Sequence, residues 1–193
     1  MADKPFTFRI PFPGFQPSRT DNHITRHLSD LKGRFMDTET YEQMLEEEDV
    51  MLYEVYEVRR PEIAGEMLFG IDIIHPGKVG DEFFMTKGHY HEMLEASELY
   101  YCLQGEGFMV METPEGDTAV EKLFPNSVIY VPPRWAHRTV CTERNEDLVN
   151  FYIYPANAGQ NYGTLEQFGF RKIIVERNNR IEIIDNPNIK DRS

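Results

Sequence analysis

Three histidines and one glutamate in this chain have the types and spacing of a metal-ligand set. His89 and His91 lie two residues apart in TKGHYHEMLEASELYYCLQGEG, residues 86–107. On a strand, alternate side chains share a face, so both imidazoles can aim at one centre. Glu98 opens the next strand-like run after a six-residue interval, and a turn there can return its carboxylate to that centre. His137 starts a third strand behind the stiff Pro132-Pro133 pair. Imidazoles suit iron, nickel and zinc, and a carboxylate adds negative charge without demanding a thiolate. Four protein ligands leave room for a substrate only when the coordination number exceeds four. That favours an octahedral Fe²⁺, Ni²⁺ or Mn²⁺ ion over closed tetrahedral zinc. Without Glu98 and His137, the histidine pair also reads as the polar surface of an ordinary strand.

The elements that must hold these groups are mostly strands. Period-two or aromatic-rich runs occur at 50–58, 67–74, 98–104, 107–113, 118–123, 127–131, 137–141, 148–154, 171–176 and 180–184. Turn chemistry separates them: His75-Pro76-Gly77, Pro114-Glu115-Gly116-Asp117 and Asn178-Asn179. The second and third of these predict hairpins. Many short strands at regular spacing predict an all-β sandwich or closed barrel, with no strand–helix alternation. Ahead of them, Pro5, Pro11, Pro13, Gly14 and Pro17 predict an irregular or extended N-terminal arm. A short helix follows, capped by Asp37 or Thr38, with Tyr41, Met44 and Leu45 as its apolar stripe. Glu46, Glu47 and Glu48 oppose the helix dipole and predict an end near Asp49.

Composition sets the outer bounds. The chain has 193 residues, 40% of them hydrophobic, which suits one folded domain. No apolar run is long enough for a membrane-spanning helix, and MADKPFTFRI lacks the plan of a signal peptide. With 20 Lys+Arg against 33 Asp+Glu, the net charge of −13 argues against a nucleic-acid partner. An anionic small molecule remains compatible if cationic donors are concentrated locally. Cys102 and Cys141 are the only cysteines, too few for a disulfide scaffold and in no nucleophile motif. A reducing cytoplasm is the expected compartment.

Five stretches carry a family resemblance: YEVYEV (53–58), PGKVGDEFFMTKGHYHEMLEASELYYCLQGEG (76–107), PEGD (114–117), VIYVPPRWAHRTV (128–140) and YPANAGQNYGTLEQFGF (154–170). Their pattern is similar to the two motifs of the cupin superfamily. The long His91–Glu98 interval, with TKGH before it and PPRWAHRTV after, resembles the archaeal-type (cupin) glucose-6-phosphate isomerase family specifically. The resemblance implies a double-stranded β-helix, a jelly-roll barrel, with the metal on its inner face. It implies a barrel with C-terminal strands over 50–193. Segment 1–49 would be an arm and short helix of the same domain, touching a second subunit in a homodimer. His89, His91, Glu98 and His137 match the family's ligands for one divalent ion per subunit, Fe²⁺ first, with Ni²⁺, Mn²⁺, Co²⁺ or Zn²⁺ as alternatives. Tyr53, Thr86, Lys87, Gly88 and Tyr100 match pocket positions near the sugar phosphate or its hydroxyls. Tyr154, paired with Glu98 as a catalytic residue, and Tyr162 match tyrosines near the open side. Gln160 stands where some members carry histidine; glutamine exchanges hydrogen bonds but does not titrate near neutrality.

The implied reaction interconverts glucose 6-phosphate and fructose 6-phosphate, a step of glycolysis and gluconeogenesis. A bound metal would polarise O1 and O2. Either Glu98 moves a proton through a cis-enediol, or a hydride shifts directly between carbons. Thr86, Lys87 and the Gly88 backbone, with Tyr53 and Arg134, are the candidate phosphate donors. Strand alternation would turn Lys87 away from the face that Thr86 and Gly88 share. Two other functions fit the same ligand set: a cupin dioxygenase and a sugar-phosphate-binding protein without turnover.

Overall fold

The computed structural model describes residues 4–189. The outermost positions of the two predicted segments, 1–3 and 190–193, lie outside them. In chain order the elements are β1 (Asn22–His27), a single 3₁₀ turn (Leu28–Leu31), α1 (Thr38–Glu47), β2 (Met51–Val58) and β3 (Met67–Ile74). Then come β4 (Lys78–Val79), β5 (Glu82–Phe83), β6 (Glu98–Gln104), β7 (Gly107–Glu112), β8 (Thr118–Leu123), β9 (Val128–Val131) and β10 (Ala136–Cys141). The chain closes with β11 (Leu148–Pro155), α2 (Gly163–Phe168), β12 (Lys172–Arg177) and β13 (Arg180–Asp185).

The barrel is built by nested antiparallel pairing. Its first strand, β3, pairs with its last, β11. Inside that pair, segment 85–89 bridges β10 at Met85–Val140 and His89–His137. Then β6 pairs with β9, and β7 with β8. Two faces result: β1-β2-β3-β11-β6-β9 on one side, and β10-β7-β8 with segment 85–89 on the other. This is the predicted double-stranded β-helix of the jelly-roll type. Leu52, Ile74, Met85, Met109 and Leu148, all essentially buried, belong to the main apolar core. A second cluster holds Ile71, Ile73 and Val149 together with Phe15 of the arm, and Phe8 and Ile10 of the arm pack against it.

Local chemistry accounts for the ends of the elements. The Asp37 carboxylate accepts from Thr40 N at 3.0 Å and caps α1. The helix stops at Glu47, close to the predicted end. At the β12–β13 turn, Asn178 and Asn179 have φ of 52° and 58°, as a two-residue hairpin turn needs. The arm departs from expectation at 22–27, where β1 pairs with β2 across Ile24–Val55 and Arg26–Tyr53. Its alternation is short and polar, so only the neighbouring strand reveals it. The two-residue strands β4 and β5 and the single-turn-scale helix α2 also left no periodic signal long enough to read. Among the described residues no helix is long and apolar enough to cross a membrane.

Gly107 fixes how closely β7 approaches its neighbours. A Cβ there would stand 2.1 Å from the Val140 carbonyl oxygen and 2.7 Å from Leu148 Cδ2. Backbone cannot yield as a flexible side chain does. Gly107→Ala should therefore lower stability by about 1–3 kcal/mol, the usual cost of overpacking. Urea unfolding measures this, and an unchanged midpoint would show that β7 and β10 can separate freely.

Candidate active site

The four predicted ligands meet. His89 and His137 sit opposite each other because their backbones exchange hydrogen bonds, His89 N to His137 O at 3.2 Å and His137 N to His89 O at 3.1 Å. His91 follows two residues on, and Glu98 enters from β6 in the opposite sheet. One ligand atom from each lies within 4.8 Å of every other. His137 Nε2 is 2.9 Å and His91 Nε2 3.2 Å from Glu98 Oε2. All four residues are buried. The inward atoms, His89 Nε2, His91 Nε2, His137 Nε2 and Glu98 Oε2, lack hydrogen-bond partners of proper geometry. Orphaned buried polar atoms aimed at one point are what a cation needs and what a purely structural cluster avoids.

The outer nitrogens set the tautomers. His91 Nδ1 faces the Gly159 carbonyl at 3.2 Å, and His137 Nδ1 faces the Trp135 carbonyl at 3.4 Å. A carbonyl only accepts, so in the neutral ring each Nδ1 carries the proton and Nε2 keeps its lone pair. Burial, then the neighbouring His137, pushes the His89 pKa well below its ordinary value, so that ring is neutral. Burial alone would raise the Glu98 pKa. The three imidazoles crowded around it, His137 first, outweigh burial and hold the carboxyl well below the usual range. The buried cluster thus couples electron-pair donors to one anionic oxygen pair, a donor set that can hold a divalent ion.

A cavity opens from this cluster. Tyr53, Thr86, Lys87, Gly88, Tyr100, Tyr154 and Tyr162 all line it, together with His89, Glu98 and His137. Lys87 departs from the alternation rule. Gly88 has φ of 72°, which breaks the strand, and residues 86, 87 and 88 all reach the cavity. Lys87 Nζ lies 2.6 Å from Glu166 Oε1 and 5.2 Å above the Tyr162 ring. Its backbone N–H donates to the Tyr53 hydroxyl at 3.3 Å. Burial raises the Tyr53 pKa to about 12, so the hydroxyl keeps its proton. Thr86 Oγ1 accepts from Thr139 N at 3.0 Å, which fixes its hydroxyl. At the other end, the Tyr100 ring stands 5.7 Å from that of His137, and the Tyr154 ring 5.2 Å from that of His91. Gln160 joins the tyrosines: its Nε2 donates to the Tyr154 hydroxyl at 3.3 Å, and its Oε1 accepts from Tyr162. Burial raises the Tyr154 pKa above the ordinary phenol range, so this hydroxyl is a donor.

One expectation is corrected. Arg134 is not a phosphate donor of this cavity; its guanidinium pairs with Glu115 at the surface. Cys102 is fully buried, and burial pushes its thiol up to about 12, which excludes a thiolate role. Sequence reasoning missed Arg26, Glu57, Asp72 and Tyr152 in the cavity wall. Arg26 was legible in one respect, because it shares the parity of Ile24 in a strand read only as an arm.

Comparison with known proteins follows this geometry. A family model described as glucose-6-phosphate isomerase (GPI) matches residues 25–190. The glucose-6-phosphate isomerase of Pyrococcus furiosus is 46% identical over 190 residues, 98% of this chain and 100% of that one. That of Thermococcus litoralis is 46% identical over 162 residues, covering 84% and 85%. A putative glucose-6-phosphate isomerase of Rhizobium meliloti is 38% identical over 170 residues, covering 86% and 79%. The matched span includes every ligand residue and nearly the whole cavity wall, and this chain belongs to the glucose-6-phosphate isomerase family.

Proposed function

We propose that this protein interconverts glucose 6-phosphate and fructose 6-phosphate, with a divalent ion held by His89, His91, Glu98 and His137. The observation that carries the reading is the pairing of two ends in one cavity. One end holds four orphaned donor atoms within 4.8 Å. The other holds two cations, Arg26 and Lys87, beside the Tyr53 and Tyr162 hydroxyls. A phosphosugar has matching ends: an oxygen pair at C1 and C2, and a phosphate at C6. Keeping cations at the far end also keeps phosphate from competing for the ligand cluster. An octahedral ion would leave two positions open beside the three imidazoles and the carboxylate, and Fe²⁺ is the ion proposed.

When bound, the ion supplies a Lewis-acid centre for O1 and O2 and stabilises negative charge developing there. The chain supplies the rest. Glu98 is ionised at neutrality and lines the cavity, within reach of a sugar bound there. It accepts the C2 proton while the C2–H electron pair forms the C1–C2 double bond of a cis-enediol and O1 takes up a proton. Collapse then expels the O2 proton, forms the C2 carbonyl and draws the Glu98 proton onto C1. Tyr154, protonated and tied to Gln160, donates toward the oxygens. Gln160 can orient that hydroxyl and cannot titrate in its place. Buried aromatic walls at Tyr100 and Tyr152 exclude water from the enediol.

Three measurements test this reading. His89→Ala and His137→Ala should each lose bound metal, by elemental analysis, and reduce kcat/KM about a hundredfold or more. Metal retention at full stoichiometry in both variants would sink the ligand assignment. Glu98→Gln should cut kcat by about 10²–10⁴ with metal still bound, and wild-type turnover in heavy water should place deuterium at the transferred position. Solvent deuterium in the product would exclude a direct hydride shift, and wild-type kcat in metal-loaded Glu98→Gln would remove Glu98 as the base. Lys87→Ala should raise KM about tenfold to a hundredfold with kcat nearly kept, as loss of a charge-assisted phosphate contact requires. A fall in kcat at constant KM would move Lys87 from phosphate binding to chemistry.

A further inference from the structure

Two polar groups of the cavity floor, and a third directly behind them, belong neither to the ligand cluster nor to the cationic end. They are Asp72 on β3 and Asn150 and Tyr152 on β11. Strand register places them. Asp72 and Asn150 are direct cross-strand partners, and Tyr152 lies opposite Gly70 on one side and Tyr100 on the other. Asp72 and Tyr152 line the cavity. Asn150 is fully buried, and Asp72 and Tyr152 are each 5% exposed.

Their hydrogen bonding is incomplete. Asn150 Nδ2 donates to Asp72 Oδ1 at 2.9 Å. Asn150 Oδ1 and the Tyr152 hydroxyl have no partner. No ion pair to Asp72 is present among the described residues, and burial, with the Glu98 charge adding, raises its pKa to about 7. A floor built only for stability would be apolar there, as Val55 and Ile74 are on the flanking positions. The fold also makes room for the phenol. A Cβ on Gly70 would stand 2.7 Å from the Tyr152 hydroxyl oxygen and 2.0 Å from the Tyr56 carbonyl oxygen. The hydroxyl is seated over a glycine in the cavity wall, buried and without a hydrogen-bond partner.

The floor lies between the two ends of the cavity. Ile74, opposite Tyr53, marks the phosphate side of β3, and Asp72 comes two residues further along. On β11, Tyr152 follows two residues after Asn150, and Tyr154, beside His91, follows two after that. A six-carbon chain with C1 and C2 at the ligand cluster and its phosphate near Tyr53 carries its middle hydroxyls across this floor.

We infer that Asp72, braced by Asn150, and the Tyr152 hydroxyl are specificity-determining contacts for the C3 and C4 hydroxyls of a phosphosugar. This rests on the reading of the cavity as a phosphosugar site. Asp72 accepts from one hydroxyl, and Tyr152 donates to or accepts from the other. A cavity that hydrogen-bonds a hydroxyl rejects the analogue that lacks it, because its own polar groups are then stranded.

The test compares glucose 6-phosphate with its 3-deoxy and 4-deoxy analogues, using the metal-loaded full chain. The wild type should prefer the parent sugar by about a hundredfold or more in kcat/KM at one or both positions. Tyr152→Phe and Asp72→Asn preserve shape, and urea unfolding checks that both variants fold. Each should slow the parent substrate and leave one deoxy analogue nearly unaffected, shrinking that preference about tenfold. A structural role would slow all three sugars in the same ratio. That result, or a wild type indifferent to the deoxy changes, overturns the inference while the isomerase reading stands. A wild type that turns over no glucose 6-phosphate overturns both.

Discussion

Three imidazoles and a carboxylate facing one another in a dry interior are electrostatically unreasonable without a further partner. Burial strips each of its water, and the geometry denies each inward atom a good hydrogen bond. The chain accepts that cost at one place and surrounds it with compensation. Outer carbonyls from Gly159 and Trp135 hold two of the rings, and a backbone bridge locks His89 to His137. Nearly every other feature of the cavity is arranged around this centre: tyrosines on its rim, cations kept at a distance, and a glycine break that turns Lys87 inward.

Charge is distributed against the average of the molecule. The chain carries a net −13, yet the far end of the cavity gathers Arg26 and Lys87. Glu166 pairs with Lys87 at 2.6 Å, and Arg34 approaches the same carboxylate at 3.6 Å. Surface carboxylates elsewhere pair with surface cations, as Glu115 does with Arg134. Such exposed pairs contribute little, whereas a cation in a narrow cavity is screened less and acts on what enters.

How much was legible depended on length and period. The convergence of His89, His91, Glu98 and His137 could be read because each belongs to a strand with regular alternation or to a short interval that a turn can close. The longer strands agreed with their predicted spans to within a residue or two, and Asp37 capped the helix as its type demands. What stayed hidden had a physical cause in each case. Lys87 was misdirected because alternation assumes an unbroken strand, and Gly88 breaks it. Arg26 was hidden because β1 is a strand only through its pairing with β2. Asp72 and Tyr152 sit in runs that read as ordinary core, where polarity has meaning only once the facing side chains are known.

The nested pairing has a kinetic side. The strand pair that encloses the cavity, β3 with β11, joins residues as far apart as Ile74 and Leu148, whereas β7 and β8 meet across one tight turn. Closing a long loop must precede the contacts that reward it, so an architecture dominated by distant partners assembles slowly. The innermost hairpin can form early, but Tyr152, Tyr154 and Asn150 arrive only when the outermost pair docks. Because β11 pairs with both β3 and β6, it ties the cavity floor to the strand that carries Glu98, and the two depend on one strand.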